Sequence, residues 1–409
     1  MANGLRLHDT LSGTIQDFRP GGNEVKLYVC GVTPYDTAHL GHGFTYAAFD
    51  TLVRYLGFLG YGVRYVQNIT DVDDPLFEKA RQLGISYQEL AARETARYLH
   101  DMQALNVLPA DIYPRASDEI SEMVRMAEAL VESGHAYAVD GRVYFRVASD
   151  PQYGELSKLD RHEMLRLARD RGGDPDDPRK EDPLDFLLWR PAGSDEFRAE
   201  SKWGEGLPGW HLECSAMSLK YLGSPIDIHG GGSDLIFPHH ESEIAQSEAN
   251  IDVRPFARLW MHTGMVYMDG RKMSKSLGNM VFVRDLIRSK GADAVRIYVS
   301  SCHYRSELHW NEQAFQAAAD RAEVLRAALQ AQGSSDVTLE TNEYRSRFLD
   351  RMNDDLDTPE ALGVLMELAA IIQDESLRGG NAKPAQELMR ELGGILGLTF
   401  QPARAESLA

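Results

Sequence analysis

The fold is decided by VKLYVCGV at residues 25–32, TPYDTAHLGH at 33–42 and FTYAAFDTLVRYLGFLG at 44–60. The first stretch is a short β-branched and aromatic run and the last is periodic, so together they predict strand, loop and helix. GVRYVQNIT at 62–70 predicts a second strand, and the DVDD after it at 71–74 opens another helical stretch. This β-α-β-α alternation predicts an α/β protein with a parallel sheet, whose ligands bind at the carboxyl ends of the strands.

Beyond residue 80 the alternation is interrupted and later resumes. The intervening sequence contains an amphipathic helix (SDEISEMVRMAEALVESG), a strand pair (HAYAVDGRVYFRV) and the Gly/Pro/Asp-rich segment RDRGGDPDDPRKEDP. IDIHGGGSDLIFPHHESEIAQSEAN at 226–250 then predicts another strand, glycine turn and helix, and the chain is helical in period from about 284. We therefore predict four parts: residues 1–80 and 201–283 as the halves of one catalytic domain, 81–200 as an inserted connective segment, and 284–409 as a helical domain.

The composition is that of a soluble globular protein. The chain has 409 residues, of which 43% are apolar and 26% charged, and its net charge of −19 disfavours non-specific binding to polyanions. Basic residues between Arg161 and Lys180 are interleaved with acidic ones, which favours a solvated surface over a nucleic-acid site. The sequence shows neither a leader pattern nor a run of about 18 apolar residues, so we expect a cytoplasmic protein with no membrane span. Three cysteines are too few for a disulfide framework and favour thiol or metal chemistry.

Two separated motifs are candidates for binding phosphate. His39, Gly41 and His42 lie where the loop leads into a helix, so imidazoles and free backbone N–H groups can face an anion there. Taken alone, two histidines at this spacing are more often surface or helix-capping residues. KMSKS, from Lys272 to Ser276, follows the turn signal Asp-Gly and carries two lysines that could stabilise charge on a transferring phosphate. In this order and separation, the two motifs resemble the signature pair of class I aminoacyl-tRNA synthetases.

A third group of residues is suited to binding a metal. Cys30 ends the first strand, Cys214 lies in PGWHLECSAM, and His239 and Glu243 are four residues apart on a predicted helix and thus on one face. Two thiolates, an imidazole and a carboxylate are suitable zinc ligands. The spacing alone leaves buried structural cysteines as an alternative.

The chain resembles cysteinyl-tRNA synthetases along nearly its whole length, in YVCGVTPYDTAHLGH, YVQNITDVDD, PGWHLECSAM, DIHGGGSDLIFPHHESEIAQSEA and GRKMSKSLGN. The resemblance implies a Rossmann-type nucleotide-binding domain and a C-terminal helical bundle. It also implies one Zn²⁺ per chain, and it implies ATP, as its Mg²⁺ complex, and L-cysteine as substrates. The implied zinc ligands are Cys30, Cys214, His239 and Glu243, and the implied catalytic residues are His39, His42, Lys272 and Lys275.

The resemblance also implies an adenylate pocket. Its matched positions are Thr33, Thr45, Asn68, Ile69 and Thr70 for the amino acid and phosphate, Trp210 beside the substrate, Gly230, Gly231, Gly232 and Asp234 for the nucleoside, and Val266 against adenine. Asp71, Asp73 and Asp74 could form a metal site, but a cap at the start of a helix is the favoured interpretation.

Two acceptors for the cysteinyl group remain open. The cysteine ligases of mycothiol biosynthesis pass cysteine to glucosaminyl-inositol, and CGVTPYD, the DRGGDP insertion and the chain's end soon after ELGGILGLTF resemble that shorter family. ECSAMS, DIHGGG and HHESEIAQSEA, with Glu243 as a fourth zinc ligand, favour a short synthetase without the further anticodon module, and hence tRNA(Cys). A non-catalytic paralogue that binds an adenylate or RNA is a third interpretation, against which the complete signature pair argues.

Overall fold

A computed structural model describes residues 4–35, 38–193, 196–273, 278–332 and 340–402. Within these ranges the strands are β1 (Arg6–Asp9), β2 (Thr14–Asp17), β3 (Glu24–Val32), β4 (Gly62–Ile69), β5 (Ala136–Val139), β6 (Arg142–Phe145), β7 (Phe186–Pro191), β8 (Gly206–Pro208), β9 (Ile228–Gly232), β10 (Trp260–Thr263), β11 (Val266–Met268), β12 (Arg271–Lys272) and β13 (Leu308–His309). The helices are α1 (Leu40–Phe58), α2 (Asp74–Leu83), α3 (Tyr87–Ala104), α4 (Ile120–Glu132), α5 (Arg161–Asp170), α6 (Trp210–Leu222), α7 (Glu241–Ile251), α8 (Val283–Lys290), α9 (Ala292–Ser300), α10 (Glu312–Gln330), α11 (Asn342–Asn353), α12 (Thr358–Leu377) and α13 (Lys383–Ile395).

The central sheet has the order β10-β9-β3-β4, and all its strands are parallel. This confirms the predicted α/β class with a parallel sheet. One local prediction was wrong: Gly230, Gly231 and Gly232 do not form a turn, because they are the last three residues of β9 and pair with Met261, His262 and Thr263 in β10. Gly230 is a glycine for packing reasons, since a Cβ atom there would lie 2.3 Å from Cζ of Phe49 in α1.

The alternation of side chains along β3 divides the interior into two cores. Leu27 and Val29 point into a core shared with α1 and the C-terminal helices, whereas Tyr28 and Cys30 point into a core shared with α4, α6 and the insertion. Cys30 is therefore fixed on the face of the sheet opposite α1, at the carboxyl end of its strand.

Strands β5, β6 and β7 of the insertion form a second sheet with β8, which follows the predicted insertion; the antiparallel order is β5-β6-β7-β8 and includes the predicted strand pair. Its last strand leads directly into α6, the helix that carries Cys214. A third sheet with the order β12-β11-β13 and a hairpin of β1 and β2 were not predicted.

The C-terminal helices pack against α1 as well as against one another. The buried guanidinium of Arg296 in α9 contacts the carboxylate of Asp50 in α1, and its Nε donates to the carbonyl of Leu396 at 3.0 Å. The predicted helical character of this region is confirmed, and the domain boundaries near 80, 200 and 283 stay predictions. In the ranges described above, none of the helices combines the length and apolar character needed to cross a membrane.

Candidate functional site

Four buried side chains converge where β3, α6 and α7 meet. One ligand atom from each of Cys30, Cys214, His239 and Glu243 lies within 4.8 Å of all the others, and we call these four residues the metal cluster. Sγ of Cys30 is 3.7 Å from Sγ of Cys214 and 3.6 Å from Oε1 of Glu243, which in turn lies 3.0 Å from Nε2 of His239. The structure thus brings together all four predicted ligands, although their positions in the sequence span more than 200 residues.

The metal cluster is chemically incomplete without a cation. Nε2 of His239 and Oε2 of Glu243 are buried and have no hydrogen bond of normal geometry among the described residues, and such orphaned groups are costly. Burial raises the pKa of the Cys30 thiol. Burial also opposes ionisation of Cys214, but the hydrogen bond from Cys30 and the charge and hydrogen bond of His239 together outweigh it and lower the pKa of Cys214 to about 6. A thiolate with a second thiol, an imidazole and a carboxylate is a donor set that fits Zn²⁺.

Four further histidines that were not predicted from the sequence surround the cluster: His211, His229, His240 and His262. Nε2 of His240 is 3.2 Å from Sγ of Cys30, and Nδ1 of His240 is 2.7 Å from Nε2 of His262. His229 lies 3.3 Å from Glu243, so that Cys30, His229, His240 and Glu243 form a second, overlapping group, which offers one thiol, two imidazoles and a carboxylate. Burial lowers the pKa of His262 to about 3, and it lowers that of His240 as well, so these imidazoles are neutral. The available signal was one histidine in the predicted strand of DIHGGG and another in WMHTG.

His239 is held on two sides. Its Nδ1 lies 2.9 Å from Nδ1 of His211, and the ring of Trp210 stacks on it with 4.3 Å between ring centroids. Burial lowers the pKa of His211 to about 3, so neutral His211 can accept a hydrogen bond from Nδ1–H of His239 and leave Nε2 of His239 directed at the cluster. Trp210 therefore lies beside the metal cluster, where the sequence predicted a substrate contact.

The first phosphate motif caps α1. The ring of His39 accepts a hydrogen bond from the backbone N–H of Gly41 at 3.1 Å, and the ring of His42 reaches back to the N–H of His39 at 3.4 Å. The two rings stack with centroids 3.8 Å apart. A Cβ atom on Gly41 would be 2.8 Å from the His39 ring, which explains the glycine. The capping alternative is thus confirmed, and a phosphate contact of the same residues stays a prediction.

Polar residues after β3 and β4 connect the two strand ends. Asn68 accepts from the backbone N–H of Gly31 at 2.8 Å and donates to Oγ1 of Thr70 at 3.0 Å. Oγ1 of Thr33 donates to Asp73 at 3.2 Å, and Asp73 caps α2 by accepting from the N–H of Asp74 at 2.9 Å. Burial raises the pKa of Asp73 to about 6, assisted by the neighbouring charge of Asp74.

The favoured interpretation of the aspartate cluster as a cap holds for Asp73. Asp71 has a different role, because it accepts hydrogen bonds from the backbone and hydroxyl of Ser117 at 2.9 and 2.7 Å. Thr45 of α1 is 2.8 Å from the hydroxyl of Thr263 in β10, which joins the capped helix to the sheet edge.

The second phosphate motif is described only in part. Nζ of Lys272 forms an ion pair with Asp234 at 3.1 Å, and Val266 is buried in the adjacent strand β11. Lys275 lies outside the described residues. The pairing nevertheless joins the start of the KMSKS motif to the residue predicted to bind the nucleoside.

Solved structures with a similar fold are class I aminoacyl-tRNA synthetases. Methionyl-tRNA synthetase of Mycobacterium tuberculosis in complex with methionyl-adenylate has a TM-score of 0.62 at 16% identity, covering 91% of this chain and 88% of that one. The LeuRS of Agrobacterium radiobacter K84, in a ternary complex with tRNA, has a TM-score of 0.64 at 12% identity over 93% and 84% of the two chains. At such identities the likeness establishes the fold alone, which is the class I fold.

Sequence comparison gives the family. Residues 18–320 match the class I (C) tRNA synthetase catalytic domain and residues 347–401 a DALR domain. Cysteine–tRNA ligases of Dehalococcoides mccartyi and Salmonella arizonae are each 44% identical to this chain, over 400 and 402 residues, covering 97% of it and 86% of each relative. The chain belongs to the class I cysteinyl-tRNA synthetase family, as its motifs predicted.

Proposed function

We propose that this protein activates L-cysteine with ATP and transfers the cysteinyl group to tRNA(Cys). The observation that carries the proposal is the metal cluster, which offers two thiols, an imidazole and a carboxylate in a buried site of a chain 44% identical to cysteine–tRNA ligases. Because that reaction uses ATP and tRNA, we also propose that the protein acts in the cytoplasm.

Zn²⁺ is the cation that we propose for the metal cluster, held by Cys30, Cys214, His239 and Glu243. The ion would accept the thiolate of the substrate as a further ligand, and a serine hydroxyl is a much poorer ligand for it. Trp210, stacked on His239 at the edge of the cluster, would close the pocket around the side chain of the substrate. Discrimination by one lost ligand bond can be large enough to make editing unnecessary.

In the activation step, a carboxylate oxygen of cysteine attacks the α-phosphorus of ATP, the bond from that phosphorus to the bridging oxygen breaks, and pyrophosphate leaves. His39 and His42 stand at the amino end of α1, where the helix dipole favours negative charge. Lys272 and Lys275 would stabilise the charge that accumulates on the departing pyrophosphate. Asp234 would accept hydrogen bonds from the hydroxyls of the ribose. Its ion pair with Lys272 connects this proposed nucleoside contact to the proposed phosphate contact of the lysine.

In the transfer step, a ribose hydroxyl at the 3′ end of the acceptor tRNA attacks the cysteinyl carbonyl, and AMP leaves. Glucosaminyl-inositol is the second candidate acceptor, which the DRGGDP segment of the insertion favours. An amino group of the sugar would then attack the same carbonyl.

Two measurements test the proposal. Cysteine-dependent exchange of pyrophosphate into ATP tests activation, and a protein that shows none is not an adenylate-forming enzyme. Acceptor-dependent release of AMP, compared between tRNA(Cys) and glucosaminyl-inositol, tests the transfer step. We expect turnover with the tRNA, and turnover with the sugar alone would contradict the proposed acceptor.

A further inference from the structure

The DRGGDP segment of the insertion ends a helix and directs one arginine toward the site. Arg171 is the last residue of the turn that closes α5, and Gly172 follows in the left-handed conformation with a φ of 85°. The N–H of Gly173 then bonds back to the carbonyl of Ala168 at 2.8 Å, and a Cβ atom on Gly173 would lie 2.8 Å from the same oxygen. This is a glycine C-cap of the Schellman type, and it fixes where Arg171 leaves the helix.

Arg171 reaches out of the insertion to the catalytic domain. Its guanidinium donates to the backbone carbonyls of Asp234 and Phe237. Phe237 belongs to the short helical segment Ile236–His240 but is itself extended, with φ −135° and ψ 136°. Its carbonyl therefore falls outside the regular helical hydrogen bonds. A carbonyl of a buried residue such as Phe237 needs a partner. Arg171 supplies that partner and also donates to the carbonyl of Asp234.

A second contact from the insertion holds the other end of the same segment. The buried carboxylate of Glu241 accepts hydrogen bonds from the backbone N–H groups of Gly154, Leu156 and Ser157 at 2.9, 3.2 and 2.8 Å. The insertion therefore hydrogen-bonds residues 234–241 at both ends, through Arg171 at the start and through the backbone of 154–157 at Glu241. This segment contains Asp234, which pairs with Lys272, and His239 of the metal cluster.

We propose that Arg171 is a positioning residue, through which the insertion holds the segment that bears both the nucleoside contact and a metal ligand. Its side chain contacts backbone and not substrate, so it acts on geometry alone. Without the two hydrogen bonds the extended backbone at Phe237 is no longer held in place. His239 can then move away from the other three residues of the metal cluster. Supporting contacts around metal ligands are typically worth roughly 10- to 100-fold in metal affinity.

The test compares Arg171→Ala and Arg171→Lys with the control Arg169→Ala. Arg169 lies in the same helix but pairs with Asp176 at the surface of the insertion, at 3.0 Å. Apoprotein is titrated with Co²⁺, and the thiolate-to-cobalt absorption gives both the dissociation constant and the ligand geometry. We expect Arg171→Ala to bind Co²⁺ about tenfold more weakly with an altered spectrum, at a melting temperature close to that of the control. Arg171→Lys should be intermediate, because both hydrogen bonds come from the single nitrogen Nη1, and an ammonium can replace that nitrogen only at the end of a shorter side chain.

Wild-type Co²⁺ affinity and spectrum in Arg171→Ala would overturn the inference. If that variant does not fold, Arg171→Lys decides: intermediate affinity supports the inference, and wild-type affinity refutes it. We also expect Arg171→Ala to lower kcat for pyrophosphate exchange, with little change in Arg169→Ala. This kinetic readout rests on the proposed function. Absence of exchange in the wild type would contradict the proposed function, whereas the Co²⁺ titration judges Arg171 independently of activity.

Discussion

Gly31→Ala is expected to damage the metal cluster through the backbone. Gly31 lies directly after Cys30, where the pairing of β3 with β4 is irregular between Val29 and Val32. A Cβ atom at Gly31 would lie 1.6 Å from the carbonyl oxygen of Asn68, far inside the 3.0 Å that Cβ contacts essentially never cross. The obstacle is strand backbone and not the end of a flexible side chain, so the two strands must separate by about 1.4 Å.

The expected loss of stability in Gly31→Ala has two contributions. Overpacking of a well-packed interior costs about 1–3 kcal/mol. Separation of the strands also stretches the 2.8 Å hydrogen bond from the N–H of Gly31 to Asn68, worth about 1 kcal/mol. We therefore expect the free energy of unfolding to fall by about 3 kcal/mol, a large part of the roughly 5–15 kcal/mol of a typical protein. Because Cys30 moves with Gly31, metal affinity should fall as well.

The assay is urea unfolding followed by circular dichroism, combined with Co²⁺ titration of the refolded protein. Gly57→Ala is the matched control, since it adds the same methyl group near the end of α1, where no described atom outside the adjacent residues and the nearby backbone of α1 lies within 4 Å of it. That control should be neutral or more stable by about 0.5–1 kcal/mol. A Gly31→Ala protein with the stability and Co²⁺ affinity of the control would refute the reasoning.

Three other changes test the site. Cys214→Ser should lower zinc affinity by more than roughly 100-fold and abolish selectivity against serine, and stoichiometric zinc in the purified variant, measured by plasma mass spectrometry, would contradict the ligand assignment. Lys275→Ala should slow pyrophosphate exchange by roughly 10²- to 10³-fold with little change in the KM for cysteine, whereas equal losses in kcat and binding would indicate a ground-state role. Asp73 has a pKa raised to about 6, so its ionisation opposes folding and stability falls as pH rises from about 4 to 6. Asp73→Asn, which keeps the cap, should therefore be more stable than the wild type by about 1–2 kcal/mol at pH 8, and an unchanged pH profile in chemical denaturation would count against this explanation.

The parts of the site that could be predicted are those whose geometry is local. The spacing of His239 and Glu243 places both on one helical face, and their side chains indeed meet at 3.0 Å. A short strand before a capped helix likewise predicted the position of His39. Such predictions need only the periodicity of one element, which the sequence contains in full.

The histidines around the cluster could not be predicted in this way, because their proximity depends on strand pairing. His229 and His262 belong to β9 and β10, whose parallel register sets His229 opposite Trp260 and His262 opposite Gly231. His240 then bridges between the strands and Cys30. The same dependence explains the wrong prediction of a glycine turn, since Gly230 reflects the approach of Phe49 and Gly231 the approach of Leu235 and His240, and all three glycines belong to a strand.

The close spacing of Asp234, His239 and Glu243 has a mechanistic consequence. One continuous segment contributes to the proposed nucleoside site at its start and to the metal cluster at its end, and the insertion holds it through Arg171 and Glu241. A displacement of this segment would therefore alter the thiol site and the nucleotide site together. Because the attacking carboxylate and the α-phosphorus belong to the two different ligands, a rigid segment fixes the distance between them, and such fixed orientation accounts for much of the acceleration in reactions of this kind. The DRGGDP segment thus acts, through Arg171, on the activation step, which is common to both candidate acceptors.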